Sequence, residues 1–542
     1  MLVFRDDAKQ IPGQVLAHEF VQSIARVEGS DPSRILNALL LAGQMECGLT
    51  DIGHRSTAQA VSITNKLAQL LISPHRLDNN DLLSAARALV VDLAESLRIS
   101  EAEGFAYYAL HPLDFADVFA KESPSSSFAI VGIRSIGTTL SAVAVAELRS
   151  RSVCASRITV RPTGHPYNRE TRLSVAERAW VDTENQRGST FAIVDEGPGL
   201  SGSSFLSVGE CLADLGVAPE RILLIGTHDV NPQHLCAPGA ASRWAKFKWR
   251  SVHSRIYQRF KTMVSLSGGR WRTVLLPAGV EWPASWQEME SLKFWSTDRR
   301  SIFKFDGLGQ FGTGVREQAT AIHEAGFGPD VEDAGDGTSR YTFVDGAPIL
   351  SGEASTEILD RIADYCAFRS TAFKTSNHGG QGQLLQMVRH NFHEETGQPL
   401  ELPDDTLCTS SPVIADARMQ PYEWVRSANG QLLKVDASRH GDDHYLPGPT
   451  DICWDLAGAI VEWNMLIGAA EYLIAAFKKR SGIDSSRNLS SFVLAYSAFR
   501  MGYCRMALSG THNLDEKERF RSAYLRYRTK MITVATTIAT AA

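Results

Sequence analysis

The chain has 542 residues, of which 44% are hydrophobic and 21% charged, with a formal net charge of −6. That length exceeds one ordinary hydrophobic core and implies several globular domains, while the acidic balance argues against a general affinity for nucleic acid. The eight cysteines form no Cys-x-x-Cys pair, which favours free thiols in a reducing cytoplasm over a disulfide framework or a zinc ribbon.

In chain order, Met1-Leu-Val-Phe-Arg-Asp-Asp carries acids where a signal peptide needs an apolar core. Residues 1–122 then read as a helical region. Apolar residues recur at three-to-four spacing over 35–43, 58–71 and 81–97. Ser100 with Glu103 three residues on fits a capping box. Glu46, Cys47 and His54 suggest a reactive thiol, although a buried small residue is the plainer account of Cys47. Over 123–235 the rhythm changes. Short apolar runs at 128–133, 157–160, 191–194 and 222–226, with a further apolar segment at 141–148, predict strands alternating with helices in a mainly parallel sheet. Residues 236–270 form a basic and aromatic connector. On a helix, Arg243, Lys246 and Arg250 would share a face apart from Trp244, Phe247 and Trp249, as an interdomain amphipathic helix or a platform for single-stranded nucleic acid. From 271 to 542 the chain opens with strand-like runs at 273–276, 292–295 and 301–305 and is otherwise mostly helical, with an irregular stretch at 402–449. The apolar segment 452–477 carries Asp455, Glu462, Asn464 and Glu471, so it reads as a buried helix and not a membrane span.

The segment Phe191-Ala-Ile-Val-Asp-Glu-Gly-Pro-Gly-Leu-Ser-Gly-Ser-Ser204 is the most informative. An apolar strand delivers Asp195 and Glu196 to its carboxyl end, and a small-residue loop leads into a helix. Backbone N–H groups and the helix N-terminus suit a phosphate, and the carboxylates can accept from two ribose hydroxyls. Together with Val131-Gly-Ile-Arg-Ser-Ile-Gly-Thr-Thr-Leu140, which ends a strand and opens a helix, it resembles the phosphoribosyl pyrophosphate (PRPP) site of type I phosphoribosyltransferases over residues 125–230. The resemblance implies Asp195 and Glu196 at the ribose hydroxyls and Mg2+, with Gly197, Gly199, Ser201, Gly202, Ser203 and Ser204 around the 5-phosphate. It places Arg134, Ser135 and Gly137 at the pyrophosphate, and implies a mobile lid at 161–169 carrying Arg161 and Arg169. The acceptor would be held by a variable hood, for which residues 1–122 are the candidate.

A second pattern begins at Ser301-Ile-Phe-Lys-Phe-Asp-Gly-Leu-Gly-Gln-Phe-Gly312. Gly307, Gly309 and Gly312 spell Gly-x-Gly-x-x-Gly, but the βαβ context of a dinucleotide fold is missing. Lys304 in a strand and Glu317 on the next helix instead suit a pair that aims an ammonium at ATP phosphates. With the hinge-like stretch 340–349, Asp416, Asp436 and Asp451-Ile-Cys-Trp-Asp-Leu-Ala457, residues 270–540 resemble aminoglycoside phosphotransferases and choline kinases. That resemblance implies Asp416 as the catalytic-loop acid, Asp436 as the Mg2+ ligand, and Asp455 as a brace of the catalytic loop and part of the metal set. The loop departs from the family: Ile414 and Ala415 replace His-Gly, and Pro421 stands where an Asn is expected, leaving Gln420 or Glu423 as substitutes. The run His440-Gly-Asp-Asp-His444 offers metal or phosphate chemistry, or a solvated loop.

The expected fold is thus multidomain, α/β with α+β: an N-terminal helical region, a parallel-sheet phosphoribosyltransferase-like domain and a mostly helical kinase-like domain. The expected function is a cytoplasmic bifunctional enzyme. It would transfer ribose 5-phosphate from PRPP to a small acceptor with Mg2+, and would carry an ATP-dependent small-molecule phosphotransferase-like half. The alternative is a PRPP- or nucleotide-binding regulator with a degenerate kinase-like domain. No membrane partner is expected, and a homodimer is left open.

Overall fold

A computed structural model describes residues 8–541 apart from 28–30, 74–78, 91–92, 94–95, 351, 353, 378–380, 441–444 and 447. The chain divides into two compact units. One runs to Lys261 and takes in Gly307–Phe311; the other comprises Thr262–Asp306 and the chain from Gly312 onward.

The first unit is built on a five-stranded sheet of Cys154–Val160, Ser127–Ile133, Thr190–Val194, Ile222–Gly226 and Lys248–Ser251, in that spatial order. Every pairing is parallel. The central strands are continuous apolar runs because helices cover both faces of such a sheet, and Phe191, Ala192, Ile193 and Val194 are fully buried. The helices Ile136–Ser150, Val175–Arg187 and Ser203–Asp214 make the crossovers. Numbered along the chain, the strands lie 2-1-3-4-5. The order therefore reverses between Ser127–Ile133 and Thr190–Val194, whose carboxyl ends flank the crevice where such sheets take ligands. A small antiparallel hairpin, Thr163–His165 with Asn168–Glu170, rises between the second and third strands.

The N-terminal helical region belongs to this same unit. Helices Pro32–Asp51 and Thr57–Ile72 are present, but the predicted helix over 81–97 ends at Val90, and Ser96–Ser100 is a strand paired with Ala8–Pro12. The capping box at Ser100 is consequently not formed: the short helix Glu103–Ala106 starts after Ala102, which provides no side-chain cap. The 236–270 connector also resolves differently. Ala240–Trp244 is a short helix, whereas Lys248–Ser251 is the fifth strand of the sheet. Trp244 and Phe247 are buried in the core, so they present no open stacking surface, and Arg243 is paired with Glu210.

In the second unit, five antiparallel strands lie in the order Val264–Ser265, Lys293–Trp295, Ser301–Phe305, Thr338–Thr342, Val331–Gly335. The helix Gln310–Glu324 is inserted after the third strand. A three-stranded sheet of Gly346–Pro348, Trp424–Ser427 and Leu432–Lys434 follows. The rest is helical, and Thr356–Ala372, Cys453–Glu462, Ile467–Ser481 and Leu489–Gly510 surround a core holding Trp424, Trp454, Trp463 and Tyr496. Residues 271–275 form a helix and not the expected strand. Among the described residues no helix is long and apolar enough to cross a membrane.

Candidate active sites

In the first unit the loop after Ile133 and the loop after Val194 lie side by side, because the two strands pair directly. Two glycines bring them close. A Cβ on Gly132 would lie 2.2 Å from the Gly137 carbonyl oxygen, and one on Gly137 would lie 2.6 Å from that of Val194. The Arg134–Ser135 peptide is cis.

Asp195 accepts the Glu196 N–H at 2.9 Å. Burial pushes its carboxyl up to about 7. Glu196 is pushed well above the ordinary range by burial and by the neighbouring Glu103 and Asp195 carboxylates. Its carboxylate lies against Gly104, where a Cβ would approach within 2.9 Å, so the helical region does reach the acid pair. Two adjacent carboxylates short of positive charge suit a divalent cation or ribose hydroxyls. Mg2+ therefore fits Asp195 and Glu196.

Beyond the acids, Gly202 takes a left-handed φ of 71° and caps the helix Ser203–Asp214. Ser201 and Ser203 donate their hydroxyls to the Pro166 carbonyl of the hairpin at 2.8 and 2.6 Å, while Gly197, Gly199 and Ser204 complete the loop. At the other end, Arg134 Nε lies 3.2 Å from Asp51 and Arg161 Nη2 lies 2.6 Å from the same carboxylate. Ser135 and Gly137 are in the turn beside them. Arg169 does not join: it donates to Gly164 in its own hairpin. Cys47, one helical turn before Asp51, is buried, accepts from Arg161 at 2.8 Å, and is pushed up to about 12 by burial. That thiol is a packing residue and not a nucleophile. Sequence reading did not find Asp51; a carboxylate at the end of a long apolar helix was its only signal.

In the second unit Lys304 meets Asp436 at 2.6 Å and Asp306 at 3.5 Å. The expected pairing with Glu317 is not made: Glu317 is exposed on the outer face of its helix. Asp436 is instead shared with Lys293, at 2.5 Å on its other oxygen. Although burial acts upward, Lys293 and Lys304 hold its carboxyl well below the usual range.

Asp455 is buried at the start of the helix Cys453–Glu462. Its two oxygens accept the N–H groups of Asp416 and Ala417 at 2.9 and 3.0 Å. It therefore braces the loop.

Asp416 is itself buried, accepting from Tyr365 at 2.5 Å, with Lys434 at 3.4 Å, His440 at 3.3 Å and Arg369 at 3.7 Å. Against the upward push of burial, Lys434, His440 and Arg369 keep it ionised to unusually low pH. Asp416, Glu423 and His440 come close enough to suggest a metal centre, yet Lys434 lies 2.9 Å from Glu423 in the same cluster. Among the described residues, five carboxylates (Asp306, Asp416, Glu423, Asp436, Asp455) meet five cations (Lys293, Lys304, Lys434, Arg369, Arg418). The side chains neutralise one another, and a divalent cation does not fit this set. Residues 441–444 of the His440–His444 run lie outside the described residues. Sequence analysis does not single out Lys293 or Lys434; their signal is a lysine inside a short strand, Lys293–Trp295 and Leu432–Lys434.

The Gly-x-Gly-x-x-Gly pattern is no phosphate loop in this setting. Gly309 takes a φ of 56° against Asn37, and the Gln310 N–H donates to the Asn37 side chain at 2.8 Å.

No family model and no curated protein sequence matches the chain. Over about half its length it is similar to solved structures of small-molecule kinases and phosphotransferases. Choline kinase LicA from Streptococcus pneumoniae is 13% identical with a TM-score of 0.32, covering 48% of this chain and 97% of that one. A choline/ethanolamine kinase family protein from Mesorhizobium loti is 13% identical with a TM-score of 0.33, covering 48% and 93%. Macrolide 2'-phosphotransferase MphH from Brachybacterium faecium is 14% identical with a TM-score of 0.29, covering 43% and 88%. These likenesses assign no activity to this chain.

Proposed function

We propose that the parallel-sheet unit binds PRPP and transfers its ribose 5-phosphate to a small acceptor. The observation that carries this reading is the placement of the loops 134–137 and 195–204 at the carboxyl ends of the two strands where the sheet order reverses. In the reaction the bond from ribose C1 to the diphosphate oxygen breaks and a bond from the acceptor nucleophile to C1 forms. The diphosphate leaves with both electrons of its bond, and the acceptor releases a proton. Arg134, Arg161, Ser135 and nearby backbone N–H groups would hold the departing diphosphate. Ser201, Ser203, Ser204 and the helix N-terminus would hold the 5-phosphate, and Asp195 and Glu196 the ribose hydroxyls. Mg2+, when bound by the acid pair, would supply further neutralisation of the leaving group.

Isothermal titration with PRPP and MgCl2 tests the reading. Binding is expected for the wild type and is lost with Asp195→Ala and Glu196→Ala together; equal binding by that variant refutes the assignment. A regulator that binds PRPP without turnover is the second reading, favoured by the charge-balanced centre of the kinase-like unit, where Asp416 is tied to two cations. Release of pyrophosphate in the presence of candidate acceptors separates the two, since a regulator releases none.

A further inference from the structure

We infer that Lys293 and Lys304 form a clamp for a polyphosphate chain that works without a divalent metal. The inference deepens the kinase-like likeness of the second unit and is independent of PRPP binding by the first. Lys293 and Lys304 are direct cross-strand partners in antiparallel strands, which places their side chains on the same face of the sheet. Two like charges facing each other in this way repel and need an anion between them. Asp436 supplies it, with one carboxylate oxygen on each ammonium, at 2.5 and 2.6 Å. It comes from the loop after the strand Leu432–Lys434 and takes a strained φ of 56° to do so.

The clamp is accessible from one side. The Lys293 side chain is 18% exposed and Asp436 20%, whereas Lys304 is 4% exposed. A phosphate chain entering from Lys293 would present several acceptor oxygens where Asp436 presents two. In a fold that ordinarily uses metal ions to carry phosphate charge, the ions bridge acidic side chains and phosphate oxygens. Among the described residues of this centre the acids are already paired: Asp436 with the two lysines, Asp416 and Glu423 with Lys434, and Asp455 with Arg369 and two backbone N–H groups. The charge that would meet a phosphate is therefore ammonium and not metal.

Titration of the full chain with ATP and separately with inorganic tripolyphosphate, each in EDTA and in MgCl2, tests the clamp. ATP is expected to bind in EDTA with an affinity within about threefold of that in MgCl2. Lys293→Met and Lys304→Met should each weaken binding in EDTA by about tenfold, the loss of roughly 1.4 kcal/mol, while Lys293→Arg retains it. Tripolyphosphate binding equal to ATP assigns the affinity to the phosphate chain alone, and stronger ATP binding adds a contact to the nucleoside; both keep the clamp. Binding of ATP only with Mg2+, absence of binding in both media, or binding unaffected by Lys293→Met overturns it. PRPP titration of the Lys293→Met protein keeps the two sites apart, because loss of the clamp leaves PRPP binding as in the wild type.

Discussion

At the scale of single residues, the acid pair and the arginine pair of the first unit make opposite demands on a ligand. Asp195 is raised to about 7 mainly by burial. A raised carboxyl means that the folded protein holds a proton which the unfolded chain releases near pH 4. Stability from this group is thus fully present below that pH and declines as pH rises through about 7. Ribose hydroxyls and Mg2+ both prefer the ionised form. PRPP affinity should therefore rise between pH 6 and pH 8, and Asp195→Asn should remove the share of that rise due to Asp195, leaving any share due to Glu196, which is also pushed up. A wild-type profile identical to that of the variant would remove Asp195 from the site. Asp51 is the counterpart at the other end, neutralising Arg134 and Arg161 where a diphosphate would bind. Asp51→Asn leaves both guanidinium groups in place and removes their competitor. Pyrophosphate binding, measured calorimetrically, is expected to tighten by about tenfold, since an opposite charge in contact is worth on the order of 1.4 kcal/mol in this half-buried setting. Weaker binding would make Asp51 a positioning group that the arginines need.

At the scale of elements, the helix Pro32–Asp51 is tied to the parallel sheet by a fully buried ion pair, in addition to the contacts of Asp51 with Arg134 and Arg161. Arg157, on the second strand, donates to both oxygens of Glu46 at 2.8 and 2.7 Å and to Asn65 at 2.7 Å, with the pair's side chains 3% and 1% exposed. Removing one partner leaves an uncompensated buried charge. Glu46→Ala should cost about 3–5 kcal/mol in urea unfolding, whereas Glu46→Leu with Arg157→Met should recover most of it. A loss below about 0.5 kcal/mol for Glu46→Ala would show that the pair does not secure the helix. The pair also explains part of what was legible in the sequence. The strands of the parallel sheet announce themselves as apolar runs because both faces are covered, and the two loops follow from the small residues at their ends. The attachment of the helical region does not, because Glu46 and Arg157 are 111 positions apart and neither breaks its local pattern. The strand Ser96–Ser100 was hidden for a related reason. Its alternation is short, and among the described residues it pairs with Ala8–Pro12 near the other end of the region.

At the scale of the whole molecule, legibility differs between the two units for a physical reason. In the first, the groups of the proposed PRPP site lie on short loops adjacent in sequence to the strands that aim them, so local pattern picks them out. In the second, the centre is assembled from residues 293, 304, 369, 416, 434, 436 and 455, and their pairing is decided by tertiary packing. Lys304 stands out as a charge inside an apolar strand, and Asp416, Asp436 and Asp455 are reached through the resemblance to phosphotransferases, but the expected partner of Lys304, Glu317, faces away because spacing along a helix does not say which face is turned inward. Each unit has its own buried core, one around Phe191, Phe205 and Trp244 and the other around Trp424, Trp454 and Tyr496. Thermal unfolding of the full chain is therefore expected to be non-two-state, with each ligand acting on the transition of the unit that binds it. A ligand at 100 times its Kd stabilises its unit by about 2.7 kcal/mol, which for a unit of this size raises the midpoint by about 5–10 °C. PRPP with MgCl2 should shift one transition, and ATP in EDTA the other. Asp195→Ala with Glu196→Ala should abolish only the PRPP shift, and Lys293→Met only the ATP shift. A single transition that both ligands move, and that either variant makes unresponsive to both, would mean one shared site and would overturn the proposed division of phosphate binding between the units.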